Sequence, residues 1–288
     1  MKSPQIAIIG GSGLYEMAGL KILEERAVET PFGEPSDDFL IGELEGIPVA
    51  FLARHARGHR ILPTELNFRA NIYAIKKLGC EYILSVSAVG SLKEEIEPRH
   101  LVMIDQFIDR TTQRPSTFFG DGVVAHVAFA EPICPVLRAK LHEAAAASGA
   151  ISHPTGTYVC IEGPMFSTKA ESRLYRSWNA DVIGMTNLQE ARLAREAELC
   201  YATMALSTDY DCWHEGHDHV TAEMVLATLT QNVKTAQEVI RKILPKIAGE
   251  RNCPCHQALR NAIFTNKLLI PESTKQKIKL FLGKIFDS

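Results

Sequence analysis

A chain of 288 residues, 46% hydrophobic and 23% charged, has the composition of a soluble globular protein and room for one large α/β core. Its net charge of −3 leaves no basic footprint for nucleic acid, so any phosphate must be held by local groups. No apolar run approaches the ~18 residues of a membrane span and no signal-type region precedes Ile6; a cytoplasmic protein with neither membrane nor nucleic-acid partner is expected.

In chain order, runs rich in strand formers predict strands at 6–9, 47–53, 82–87, 101–107, 157–161, 181–184 and 199–207. Helical periodicity falls between them at 65–78, 134–148, 169–178 and 188–198, then over a longer stretch at 223–247, and two short helical patterns close the chain. This interleaving predicts an α/β fold: a central mixed, largely parallel β-sheet flanked by helices. Neither a repeat nor a linker-like stretch divides the sequence, so 1–288 is read as a single domain with 272–288 as a C-terminal helical tail. The tail carries an apolar stripe of Ile278, Phe281, Leu282 and Ile285 beside Lys275, Lys277, Lys279 and Lys284. Such a basic amphipathic helix suits a membrane surface, but packing on its own subunit is the expectation.

Chemistry-bearing residues gather where the strands end. Gly10-Gly11-Ser12-Gly13 follows the first strand, and its backbone N–H groups and the Ser12 hydroxyl suit an anion. Glu16 stands where a dinucleotide fingerprint needs glycine, and the Gly-Lys-Ser/Thr ending of a nucleotide-phosphate loop is missing. Arg54-His55 follows the second predicted strand, Arg54 being suited to a bidentate grip on phosphate. His55 and His59 have the spacing of a helical zinc pair, but Gly58 and the preceding strand argue against that helix. Ser85-Val-Ser87-Ala88 ends the third predicted strand with small residues that suit phosphate or ribose, or simply a tight turn.

The segment 108–125 is polar and turn-rich yet carries Phe118 and Phe119, which reads as a functional loop or a contact surface. Glu162 through Phe166 forms an abrupt turn carrying an aromatic, and Gly184-Met185-Thr186 leads into a helix holding Glu190. Past the last strand come Asp209 and Asp211, two apart, so an extended backbone would point both carboxyls the same way. Carboxyls held together at a sheet's ligand-binding end split their pKa values into one donor and one acceptor. A 6-amino purine needs that pair, with N7 taking a proton and the amine donating; a plain turn or a Mg²⁺ ligand pair remains the alternative. The histidines at 214–219 miss the H-E-x-x-H spacing by one residue. Most of the seven cysteines are expected to be reduced and buried; Cys253-Pro-Cys255 resembles a redox or zinc pair but lacks a second matching pair, so no metal is expected, and a disulfide lock between the two stays open.

Together these stretches resemble the 5′-methylthioadenosine phosphorylases of the purine nucleoside phosphorylase superfamily. The resemblance runs from Ile6 to about Pro271 and rests on Ile8-Ile-Gly-Gly-Ser-Gly-Leu14, Thr30-Pro-Phe-Gly-Glu-Pro-Ser36, Leu52-Ala-Arg-His55 through His59, and Ala88-Val-Gly-Ser-Leu92. It continues through Ile104-Asp-Gln-Phe-Ile-Asp-Arg-Thr-Thr112, Ile161-Glu-Gly-Pro164, Gly184-Met-Thr186 and Thr208-Asp-Tyr-Asp-Cys-Trp213. The resemblance implies that Ser12, Arg54, His55, Ser87, Ala88 and Thr186 bind phosphate, and that Phe166 and Met185 pack on base and sugar. Asp209 and Asp211 would take the adenine edge, Asp209 as general acid. The 5′ pocket would lie near Ala222, Val225 and Leu269, with His59 close by. His126 would be lent to a neighbouring subunit's site, which implies a homo-oligomer, a trimer or a dimer of trimers. No cofactor is implied, inorganic phosphate being a co-substrate. Two residues depart from the family pattern: Met165 replaces a common arginine near Glu162, and Ala222 a bulkier valine in the 5′ pocket. A 6-oxo-purine or methylthioinosine phosphorylase, a related hydrolase and a non-catalytic nucleoside-binding protein stay as alternatives.

Overall fold

The computed structural model describes residues 3–11, 14, 16, 19–214, 222–249 and 251–286, apart from the side chains at 222–227 and 283–286. Four apolar runs make the centre of its sheet: β1 (Ile6–Gly10), β4 (Ile47–Ala53), β5 (Tyr82–Ser91) and β11 (Cys200–Asp209). They lie in the order β4-β1-β5-β11 and all run parallel, so their C-terminal ends share one edge. Buried on both faces, they carry unbroken apolar sequence rather than alternation.

On the β4 side the sheet continues antiparallel through β3 (Phe39–Leu44) to the edge strand β2 (Lys21–Arg26). Neither strand is among those predicted from the sequence. β2 is exposed and charged, as edge strands are when they resist pairing with other chains, and β3 is interrupted by Gly42 and Glu43. A Cβ at Gly42 would sit 2.7 Å from the Lys21 carbonyl, so β2 can approach only over glycine. At its far end β5 pairs with β10 (Val182–Gly184), which leads through β9 (Thr157–Ile161) to β7 (Gln106–Arg110). The strand predicted at 101–107 is therefore two: β6 (Leu101–Met103) pairs with β11 and with the two-residue β8 (Ser152–His153), while β7 joins β9.

Helices cover both faces. α2 (Pro135–Ala147) and α5 (Ala222–Ile247) pack together and on β11, while α4 (Asn187–Glu196) lies on β5 and β11 with α1 (Phe68–Lys77) against it. α1 starts at the cap Asn67, whose side chain accepts from Ala70 N–H, and α3 (Lys169–Ser177) starts in a reciprocal Thr168–Glu171 capping box. α6 (Glu272–Phe286) buries Ile278, Phe281 and Leu282 on its own chain, as expected of the tail. Phe281 packs on Phe118, and Phe118 on Phe32. Phe118 and Phe119, read as a contact surface, are 4% and 9% exposed and belong to the chain's own core. Among the described residues no helix is long and apolar enough to cross a membrane.

Candidate active site

The shared edge of β1, β4 and β5 forms a polar corner. Arg54 N–H donates to the Gly10 carbonyl at 2.9 Å, so the chain after β4 turns away beside the glycine turn after β1. The Arg54 side chain is only 4% exposed and does not stand free. Its Nε donates to Glu190 Oε1 at 2.5 Å, its Nη2 to Ser85 Oγ at 2.7 Å and Glu190 Oε2 at 3.4 Å, and its Nη1 to the Val86 carbonyl at 2.9 Å. Of five guanidinium N–H groups about one is left for a ligand, so the expected two-point grip on phosphate is already spent on Glu190. Glu190 accepts in addition from Ser85 Oγ at 2.7 Å, Tyr201 Oη at 2.8 Å and Asn187 Nδ2 at 3.3 Å. This buried ion pair went unrecognised in the sequence because 136 residues separate its members.

His55 Nδ1 lies 2.8 Å from the Ile61 carbonyl, which can only accept, so Nδ1 carries the proton and Nε2 is an acceptor. Burial and the adjoining Arg54 cation lower its pKa to about 4, and the ring is neutral near pH 7. His59, with left-handed φ of 53°, stacks on it with ring centroids 4.4 Å apart. The two sit in a turn rather than on one face of a helix. Ser87 and Ala88 continue the corner along β5, opposite Ala205 and Leu206 of β11. Thr186 is the buried N-cap of α4 and makes no side-chain capping bond, and the Oδ1 of neighbouring Asn187 is buried without a partner. The start of α4 therefore brings unspent hydrogen-bonding capacity and a positive dipole end to this corner.

One arginine organises the turns after β9 and β10. Arg114, buried, pairs its Nε with Glu162 Oε1 at 2.9 Å and donates to the carbonyls of Ile161, Glu162 and Met185. Glu162 also accepts from the N–H groups of Thr112 (2.5 Å) and Gln113 (3.2 Å), and these contacts lower its pKa despite burial. The partner missing at Met165 is thus supplied from the 108–125 loop. Met165 itself is exposed, as is Phe166, while Met185 packs its sulfur over Gly163, where a Cβ would come within 2.6 Å.

At the end of β11 the two aspartates meet, though not by strand alternation. A bulge falls between Ser207 and Asp209, and Asp211 adopts φ of 50°. Asp209 Oδ1 accepts the Asp211 N–H at 2.8 Å and Oδ2 accepts the Thr208 hydroxyl at 2.6 Å, so a turn presents both carboxyls. Both lie against Gly90, where a Cβ would stand 3.1 Å from Asp209 Oδ1 and 3.3 Å from Asp211 Cβ. Burial raises both pKa values; the Asp209 charge adds only a lesser push on Asp211. The neutral acid is therefore favoured by desolvation more than by repulsion between the pair.

The remaining expected residues lie elsewhere or outside the described part. His126 is exposed and packs edge-on to Phe264 at 5.0 Å, its N–H donating to the Ala262 carbonyl. Leu269 is 74% exposed, and its neighbour Leu268 and, earlier in the same segment, Phe264 are exposed too. Ser12, the side chains of Ala222 and Val225, and His217 and His219 lie outside the described residues.

Residues 5–245 match the model of a family described as the phosphorylase superfamily. The chain is 58% identical over 282 residues to the S-methyl-5′-thioadenosine phosphorylase of Koribacter versatilis, covering 98% of this chain and 97% of that one. The Geobacter sulfurreducens protein of the same name is 58% identical over 279 residues, covering 96% and 98%. Among solved structures, a methylthioadenosine phosphorylase from an antarctic soil metagenomic library superposes with a TM-score of 0.93 at 50% identity, covering 98% of this chain and 100% of that one. The Schistosoma mansoni methylthioadenosine phosphorylase in complex with adenine superposes with a TM-score of 0.82 at 37% identity, covering 86% and 93%.

Proposed function

The chain belongs to the phosphorylase superfamily, and from that premise we propose that it cleaves 5′-methylthioadenosine with phosphate to adenine and 5-methylthioribose 1-phosphate. The observation that carries this reading is the half-buried aspartate pair at one end of a strand edge whose other end is the polar corner around Arg54. Asp209, kept toward its protonated form by burial, gives its proton to N7 as the bond from C1′ to N9 breaks. Asp211 accepts from the 6-amino group. The sugar passes through an oxocarbenium-like state and a phosphate oxygen bonds to C1′.

In the anion corner the free Arg54 N–H, the Ser87 hydroxyl, the Ala88 backbone, Thr186 at the start of α4 and Ser12 hold phosphate. Neutral His55 offers an acceptor, which suits the protonated oxygen of monohydrogen phosphate. Phe166 and Met185 pack on base and sugar, and His59, Ala222, Val225 and Leu269 line the 5′ side. No organic cofactor enters this chemistry. Exposed Phe264, packed on His126 and bonded to exposed Val124, together with exposed Leu268 and Leu269, supports a trimer or dimer of trimers in which His126 completes a neighbour's site.

The deciding assay follows adenine release from 5′-methylthioadenosine with and without phosphate, against inosine and methylthioinosine. Release only with phosphate, and faster than for the 6-oxo substrates, is expected. Release without phosphate, or preference for the 6-oxo nucleosides, would overturn the assignment.

A further inference from the structure

Four thiols that the phosphorolysis does not use meet in the interior. Cys134 caps the start of α2, Cys200 is the first residue of β11, and Cys253 and Cys255 flank Pro254 at a 3-10 turn over Pro254–Gln257 after α5. All four are buried, and their sulfurs all lie within 4.8 Å of one another. The pairing that Cys253-Pro-Cys255 lacks in the sequence is thus supplied from two distant elements, at 53 residues' separation for Cys200 and Cys253 alone.

We propose that these four cysteines form a structural metal site for zinc. A zinc ion bound to four thiolates at about 2.3 Å sets its sulfurs about 3.8 Å apart on a tetrahedron, a spacing this cluster reaches by small side-chain adjustments. Four neutral thiols would gain little from one another, since the S–H group is a weak donor and sulfur a weak acceptor. The set is all-sulfur and compact, which selects a soft tetrahedral cation. Cys134 Sγ already accepts the Leu137 N–H at 3.5 Å at the positive end of α2, an outer contact that suits a bound thiolate. Cys200 and Cys253 Sγ are 3.1 Å apart, so disulfide pairing among the four is the competing outcome that the test must separate.

Binding is balanced by protons: one zinc ion displaces four thiol protons and leaves a four-thiolate centre with no open position for substrate. The site joins α2, β11 and the chain after α5. That last segment goes on to pair Ile263 with Ala125 and to carry Leu269. Cys200 and Asp209 are the two ends of β11, roughly 30 Å apart by the rise of a strand, so the ion braces the fold and touches no reacting atom.

The full chain, purified under reducing conditions without chelator, is desalted and analysed for metal before and after incubation with zinc chloride. About one zinc per chain retained through desalting is expected. Cobalt substitution should give sulfur-to-cobalt charge-transfer and tetrahedral d–d bands, and Cys253→Ser with Cys255→Ser should lose both metal and bands. Chelated wild-type protein should unfold at a lower temperature than the zinc-loaded form. Because the wild-type measurements stand alone, a variant that fails to fold does not affect the test. Less than about a tenth of an equivalent of zinc retained after loading, or two disulfides among these four residues in the unreduced, alkylated protein, would overturn the proposal.

Discussion

Removing the charge of Glu190 while keeping its volume, as in Glu190→Gln, leaves the Arg54 guanidinium without a counter-charge in a site where both side chains are at most 4% exposed. The carboxylate receives Arg54 Nε and Nη2, Ser85, Tyr201 and Asn187. An amide can still accept at one atom but turns its NH₂ group toward the other donors. Breaking one partner out of a buried pair costs about 3–5 kcal/mol. At ~2 °C per kcal/mol for a chain of this size, Tm should fall by about 6–10 °C. Scanning calorimetry at fixed protein concentration measures it, so that any self-association affects both proteins alike. If phosphate binds in the proposed corner it would place negative charge next to Arg54, so saturating phosphate should raise the variant's Tm by more than it raises the parent's. The double variant Arg54→Met/Glu190→Gln removes both charges and should recover part of the loss, which is the signature of an orphaned charge rather than of lost packing. A Glu190→Gln Tm within about 2 °C of the parent, or a double variant whose deficit equals the sum of the singles, would refute the reasoning.

Asp209→Asn should slow the chemical step by ~10²–10⁴ in single-turnover measurements, whereas Asp211→Asn should relax the preference for adenine with a smaller rate loss; equal losses with unchanged base selectivity contradict the division of roles. His126→Ala should raise KM for 5′-methylthioadenosine and leave phosphate saturation unchanged, and mixed oligomers with Asp209→Asn subunits should regain activity if the histidine works across an interface. Glu196, buried and accepting from Phe118 N–H and the Thr117 hydroxyl, has its pKa raised by burial from 4.5 to about 7. It holds its proton more tightly folded than unfolded, so its contribution is full below pH 4.5 and is lost as pH rises through about 7. Glu196→Gln should therefore gain stability over the parent at about pH 8 and not at about pH 4, read from urea midpoints.

The central strands were legible because each is a buried apolar run that ends in polar punctuation, and the helices because their periodicity is local. What escaped depended on partners far along the chain. Phe118 reads as exposed until Phe32 and Phe281 close over it. Arg114 sits unmarked in a turn-rich loop, yet it ties the turns after β9 and β10 to that loop. Arg54 was legible as a strand-end cation but not as one already paired, because Glu190 is distant in sequence. The meeting of Asp209 and Asp211 was foreseen for the wrong reason, since a left-handed residue at 211 and a bulge do what alternation was expected to do. A Gln in place of Glu162 or a hydrophobic residue in place of Arg114 would barely alter the local sequence pattern while undoing the arrangement.

Gly90 shapes the proposed base end of the cleft by what it lacks. Its backbone belongs to β5, and the space a side chain would take is closed in by the turn that carries the two acids and by Ile183 of β10. Position 90 and the turn at 207–211 therefore act as one piece of shape, like a mould and its casting. Exchange of the acids for other hydrogen-bonding groups leaves the mould intact and retunes which base edge is read. A methyl group at 90 removes no chemical group but presses on Asp209, Asp211 and Ile183 at once, so Gly90→Ala should weaken adenine binding and slow the chemical step together.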